Sequence, residues 1–231
     1  MTAHDVQLTD ILKSANVLYK EPARAAAPKT GLYRNTLKHA LDIFLIVLSM
    51  PIVLPVVLTL ALLVALDGGK PFYTQKRVGK DGRVFRMWKL RTMVRDADDA
   101  LERHLASDPA LRAEWDDKQK LLNDPRITSI GHLLRKTSID ELPQLFNVLR
   151  GDMNLVGPRP MMVEQQALYS GHDYYELRPG ITGFWQISDR NQTSFAARAF
   201  YDARYNARLS FKTDMKTLWA TIRVVWRGTG C

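Results

Sequence analysis

The sequence predicts a mostly helical α+β protein, with an N-terminal membrane-embedded helix-break-helix ahead of a small cytoplasmic domain that carries a β-hairpin and amphipathic surface helices. Three observations predict it. Ile43 to Leu66 contains no charged residue. Two β-rich runs flank the turn Gly79-Lys80-Asp81-Gly82. The C-terminal stretch repeats apolar residues at helical spacing.

Residues 1–35 read as a flexible lead-in, since Ala25-Ala26-Ala27-Pro28 suggests a linker and no apolar run of signal-peptide type appears. Residues 36–69 form the membrane element. As a straight helix, Ile43 to Leu66 would reach about 36 Å at 1.5 Å per residue, against a hydrocarbon core of roughly 30 Å. Pro51 and Pro55 interrupt it, each lacking an N–H and crowding the preceding turn. Both flanks are basic: Arg24, Lys29, Arg34 and Lys38 precede it, and Lys70, Lys76 and Arg77 follow. Basic flanks resist export, so a re-entrant hairpin that turns at the prolines keeps both on the cytoplasmic side. A single-pass helix and a buried helix of a soluble protein stay open as alternatives.

Residues 70–231 form the remaining domain. Phe72 to Val78 and Arg83 to Leu90 read as the two strands of the hairpin, and Asp96 to Leu122 as a charged helical region divided at Pro109. A helix is expected from about Ser138–Leu142 to Gly151, then a Gly/Pro-rich loop over Leu155 to Pro160. Arg178-Pro179-Gly180 opens another loop, which holds Trp185. From about Ser194 the chain reads as helical. There Met215, Leu218, Trp219, Ile222, Val225 and Trp226 share one face, with Lys216, Arg223 and Arg227 elsewhere. That stripe suits either a membrane surface or the domain core.

The 231 residues carry a net charge of +9, which favours phosphates, anionic lipid or nucleic acid as partners. No recognisable RNA or DNA motif with interleaved aromatics supports nucleic acid. Cys231, the single cysteine, can form no internal disulfide. The sequence holds no Walker A loop, no GxGxxG and no GxSxG, and too few Cys and His for the usual zinc sites.

Asp140 and Glu141 are the leading chemical candidates. Placed where a helix starts, they would meet free N–H groups and a partial positive charge, which lowers a carboxylate's pKa and can hold a phosphate. An ionised aspartate could attack phosphorus, and two adjacent carboxylates can hold Mg²⁺. The structural alternative is a capping box, from Ser138 and Glu141 three residues on. The stretch Lys70 to Arg91 carries eight basic residues and one acid. It suits lipid phosphates or a plain solvated face. Arg159, mounted in Gly157-Pro158-Arg159-Pro160, suits phosphate binding or a simple turn.

In order along the chain stand Asp42, Gln75-Lys76-Arg77-Val78-Gly79, Lys89-Leu90-Arg91-Thr92-Met93, Asn123-Asp124-Pro125-Arg126-Ile127-Thr128, the run Ser138 to Leu149, Gly151-Asp152-Met153, Val156-Gly157-Pro158-Arg159-Pro160 and Arg178-Pro179-Gly180-Ile181-Thr182-Gly183. Over residues 36 to 231 the chain thereby resembles the bacterial sugar transferases, the monotopic phosphoglycosyl transferases. The resemblance implies a re-entrant helix in the bacterial inner membrane with the catalytic domain on the cytoplasmic face. It implies catalysis by Asp140 and Glu141 with Mg²⁺ held between them. Asp140 would attack the sugar-bearing phosphorus of UDP-galactose or UDP-glucose and expel UMP, and undecaprenyl phosphate would then take the hexose phosphate. The exchange would start exopolysaccharide assembly and run near equilibrium. Arg126, Arg159, Lys89 and Arg91 are the substrate-binding residues it implies. Expected partners are the UDP-sugar, the polyprenyl phosphate, membrane lipid and, in a homodimer, a second copy, but not nucleic acid. Met50 separates Ser49 from Pro51, where some members place serine directly before the proline, and no counterpart is expected here to the multi-span N-terminal domain of longer members. A non-catalytic membrane scaffold for polysaccharide enzymes is the rival reading.

Overall fold

The computed structural model describes residues 31–118, 121, 124–188 and 195–226; the lead-in up to residue 30, Asn123, Arg227 and Cys231 lie outside the described residues. Helix α1 (Lys38–Leu66) follows a π-helical turn, Tyr33–Leu37. The segment Tyr33–Leu66 is long and apolar enough to cross a membrane. α1 stays helical through Pro51 and Pro55, so the expected helix-break-helix appears as one helical run. Hydroxyls near the prolines bond to helix carbonyls: Ser49 Oγ donates to Ile46 O (2.9 Å) and Thr59 Oγ1 to Pro55 O (2.9 Å).

The hairpin forms as expected. β1 (Phe72–Val78) pairs antiparallel with β2 (Val84–Leu90) in the register Phe72↔Leu90 to Val78↔Val84. Asp81 (φ 57°) and Gly82 (φ 75°) take the left-handed conformation in the turn, which aspartate tolerates better than most residues. α2 (Ala97–Ser107) and α3 (Pro109–Lys118) divide at Pro109 as expected and share a small core of Leu101, Leu105, Leu121 and Trp115.

α4 (Ser129–Thr137) starts at Thr128, whose hydroxyl accepts from Gly131 N (3.0 Å). It ends at Ser138, which is left-handed (φ 56°) and makes no side-chain cap bond. A 3₁₀ turn, Ile139–Glu141, then leads to α5 (Gln144–Leu149). The single helix expected from Ser138 to Gly151 is therefore split, and no capping box forms. The reason is Pro143, which has no N–H to give to a preceding turn; α5 begins directly after it.

β3 (Asn154–Val156) pairs parallel with β4 (Gly180–Thr182). α6 (Ala197–Arg208) and α7 (Phe211–Trp226) end the described chain. α7 buries Asp214 and Thr217, while Trp219 is 61% exposed and Ile222 56%. The apolar stripe thus divides: Trp219, Ile222 and Val225 are exposed, while Leu218 packs against the buried Val156, Leu177 and Tyr205.

Asn147 of α5 makes the bonds of an absent strand: its Oδ1 accepts from Trp88 N (3.0 Å) and its Nδ2 donates to Arg86 O (2.8 Å). That satisfies the open edge of β2 and fixes α5 against it. α1 is docked at both ends. Near its start, Asp42 Oδ2 accepts from Leu155 N (3.1 Å), and Ile46 packs with Met87, Val148 and Met153. Near its end, Ala61 and Val64 pack with Leu90 and Leu134, and Val64 O accepts from Arg91 Nη2 (2.8 Å). Between these ends α1 stands over an apolar groove of about 380 Å³ that includes Met50, Leu54, Trp88 and Phe146. At its foot, Lys38 Nζ (2.6 Å) and Tyr33 OH (2.7 Å) both donate to Asp214 Oδ2, while Tyr205 OH donates to Oδ1 (2.8 Å).

Candidate active site

Three elements bring the site together. β2 supplies Lys89, the 3₁₀ turn supplies Asp140 and Glu141, and the loop after β3 supplies Arg159. The turn is placed by a tie between the chain after β2 and the approach to α4: Val94 N donates to Arg126 O (2.9 Å) and Thr128 N to Thr92 O (3.0 Å). Lys89 Nζ lies 2.9 Å from Glu141 Oε1 and 3.5 Å from Asp140 Oδ2, so one ammonium bridges both carboxylates. Arg159 Nη2 stands 4.0 Å from Glu141 Oε1.

Asp140 is 7% exposed. Burial pushes its carboxyl above the ordinary value, the Lys89 ammonium works against that shift, and the neighbouring Glu141 charge adds to it. The lowering expected from a helix N-terminus is thus reversed: the turn spans only Ile139–Glu141, and loss of water dominates. Lys89 is held above its ordinary value. Burial opposes its charge, but Glu141 and Asp140 outweigh burial.

Of the other expected residues, Arg159 joins the dyad and two do not. Arg126 is committed to Asp124, donating through Nε to Oδ1 (2.8 Å) and Nη2 to Oδ2 (2.6 Å), with its guanidinium 5.0 Å from the Trp115 ring centre. Burial works against the charge on Asp124, but these hydrogen bonds hold its carboxyl below the usual range. Arg91 gives its donors to three carbonyls, Lys70 O, Met93 O and Val64 O, which ties the end of α1 to the end of β2.

A second basic cluster adjoins Arg159. The Arg159 and Arg198 guanidiniums lie 5.6 and 4.4 Å from the ring centre of Trp185. Arg77 donates to Pro160 O (3.2 Å) in the Arg159 loop. Burial, then the Arg159 charge, lowers both Arg77 and Arg198, the latter to about 10. The Nε atoms of Arg77 and Arg198 are buried without a partner among the described residues. Unspent donors on mutually repelling cations favour an anion beside them. Arg198 escapes sequence reading because it lies in a helix far along the chain; only the fold brings it to Trp185.

A cleft of about 270 Å³ opens beside Glu141 and Arg159 and continues past Gln186 to Leu218 and Val225 of α7. The Arg159 loop rests against β4 with no room for a side chain. A Cβ on Gly180 would lie 2.1 Å from Gly157 N, and one on Gly183 2.0 Å from Gly157 O. Gly180→Ala should therefore displace the loop and lower any turnover at this site by about a hundredfold, as a misplacement of about 1 Å can. Unchanged turnover with a soluble, folded variant would refute this.

Mg²⁺ commonly binds through one or two carboxylates and completes its shell with water and substrate phosphates. The two-carboxylate turn fits that demand, and among the described residues no cluster of three or more His, Cys, Asp or Glu offers a full protein cage.

The bacterial sugar transferase family model matches residues 33–228. The chain is 43% identical over 230 residues to the UDP-galactose-lipid carrier transferase of Erwinia amylovora, covering 99% of this chain and 45% of that protein. It is 43% identical over 196 residues to the undecaprenyl-phosphate galactose phosphotransferase of Salmonella typhimurium, covering 84% of this chain and 41% of that one. The exopolysaccharide production protein ExoY of Sinorhizobium fredii is 39% identical over 196 residues, covering 84% of this chain and 87% of its own. The chain thus spans less than half the length of the first two relatives and most of the third.

Proposed function

The chain belongs to the bacterial sugar transferase family, and from that premise we propose that it moves a hexose-1-phosphate from a UDP-sugar, UDP-galactose or UDP-glucose, to undecaprenyl phosphate. The observation that carries the reading is the Asp140–Glu141 pair, bridged by Lys89 and approached by Arg159, with Glu141 and Arg159 lining one cleft. Relatives named for galactose transfer to a lipid carrier support the substrate class.

In the first step an Asp140 carboxylate oxygen bonds to the hexose-bearing phosphorus. The phosphoanhydride to UMP breaks, and UMP leaves with the bonding electrons. In the second step a phosphate oxygen of undecaprenyl phosphate attacks the same phosphorus and returns the carboxylate. One phosphoanhydride is exchanged for another, so the reaction is close to balanced. Lys89 keeps Asp140 ionisable despite burial and orients Glu141. Arg159 and the cluster behind it offer donors to the charge on the leaving UMP. Asp140 and Glu141 would hold Mg²⁺, which when bound offsets the diphosphate charge.

The decisive experiment incubates the protein with undecaprenyl phosphate and a panel of UDP-sugars and measures UMP release. Lipid-dependent release is expected with a UDP-hexose; none with any donor would end the reading and favour a scaffold. Asp140 must be ionised to attack, and its pKa is raised. Activity should therefore be lost, as pH falls, at a higher pH than an ordinary carboxylate of about 3.9 would give. A rate still flat at pH ~4 would contradict that assignment.

A membrane helix that enters and leaves one leaflet is the topology that best fits the docking of α1. Asp42 and Val64 would be about 33 Å apart along a straight helix, more than the roughly 30 Å hydrocarbon core. Both touch one domain. Cysteines introduced as Thr36→Cys and Lys70→Cys, with Cys231→Ser, should react with an impermeant thiol reagent from the same side of sealed vesicles. Labelling from opposite sides would rule the topology out.

A further inference from the structure

The cleft beside the dyad contains a polar group that the fold leaves unused. Gln186 is 7% exposed, lines the cleft shared by Glu141 and Arg159, and among the described residues has no hydrogen-bond partner at either Oε1 or Nε2. A buried amide without partners is costly. Neighbouring groups do not relieve it. Thr182 and Thr221, on the same cleft, pair with each other through their hydroxyls (2.7 Å), and Thr221 Oγ1 donates onward to Thr217 O (2.8 Å). The backbone holds the amide in place: Ile187 N donates to Gly183 O (3.1 Å), and a Cβ on Gly183 would meet Gln186 Oε1 at 3.0 Å.

We infer that Gln186 is a substrate-binding residue that reads the hexose of the donor, its amide giving and taking hydrogen bonds with ring hydroxyls. This rests on the transferase reading above. With the reacting phosphorus at Asp140, the hexose is attached one oxygen away and must lie in the cleft that adjoins the dyad. The uracil is separated from that phosphorus by a second phosphate and a ribose, which carries it beyond this cleft. The polyprenyl chain fits the apolar walls near Leu218 and Val225 but offers nothing an amide can bond to. Hydroxyls supply both a donor and an acceptor, which is what the two vacant amide atoms require.

The test compares wild type with Gln186→Met, which keeps length and volume and removes both polar atoms. Three quantities are read on the full chain: kcat/KM for the best UDP-hexose, the inhibition constant of free UMP, and the melting temperature. The expected result is a fall in kcat/KM of about tenfold or more, the size of a lost hydrogen bond or two. UMP inhibition should stay unchanged, and melting should be no lower than wild type, since an unsatisfied amide has been removed. A kcat/KM within twofold of wild type overturns the inference. So does a parallel weakening of UMP, which would assign Gln186 to the nucleotide, or a clear drop in melting temperature, which would make it structural. If wild type itself transfers from no UDP-hexose, the transferase reading has failed, which is a different outcome from any of these.

Discussion

Asp140→Asn should leave a folded protein in which the proposed hexose-phosphate transfer falls by about a thousandfold or more, the scale seen when a covalent nucleophile is removed. The substitution preserves shape. It also exchanges a buried carboxyl, whose charge burial disfavours, for a neutral amide. Lys89 keeps its 2.9 Å partner in Glu141, so no ammonium is stranded. The melting temperature should therefore hold or rise while activity disappears. A sharper readout uses UDP-hexose radiolabelled at the phosphate that bears the hexose, without lipid acceptor. Wild type should retain label on the protein under conditions that preserve an acyl-phosphate, and Asp140→Asn should not. Equal labelling of both would place the nucleophile elsewhere; UMP release with no labelled wild-type protein would replace the two-step exchange by direct transfer.

Asp214→Ala should cost about 3–5 kcal/mol, the penalty for leaving one member of a buried ion pair alone. Lys38 and Asp214 are 3% and 2% exposed, and the carboxylate also accepts from Tyr33 and Tyr205. Three groups lose their acceptor at once, and the foot of α1 loses its tie to α7. The double variant Lys38→Met with Asp214→Leu should recover much of the loss, because an apolar pair of similar volume leaves no stranded charge. Chemical denaturation in detergent gives both values. A change below about 1 kcal/mol for the single variant would mean that water reaches Lys38 and that the pair is no anchor.

The parts of the fold that local chemistry dictates could be read in advance. Alternation around Gly79-Lys80-Asp81-Gly82 marks the hairpin, the long uncharged run marks α1, and Pro109 divides α2 from α3. The dyad was visible as a pair of adjacent carboxylates, and Arg159 as a cation on a stiff loop. What could not be read depends on contacts between distant segments. Arg91 looks like a phosphate ligand beside so many cations, yet it binds carbonyls at the end of α1. Asn147 resembles a polar residue on a helix until β2 is found to lack a neighbour there. α4 gives a weak local signal, since Asn123-Asp124-Pro125 marks a chain break and the cap, Thr128, stands three residues beyond it. Gln186 carries no motif of its own, and only an inventory of satisfied groups exposes it.

The two-ended docking of α1 has a mechanical consequence. A helix clamped near both ends to the same domain cannot slide or tilt against that domain without breaking those contacts. When the protein rests in a bilayer, a change in lipid thickness must raise or lower the whole assembly as a unit. In the membrane placement proposed above, the height of Asp140 over the hydrocarbon is then a fixed dimension, like the reach of a caliper, and the proposed lipid acceptor would bring its phosphate to that height.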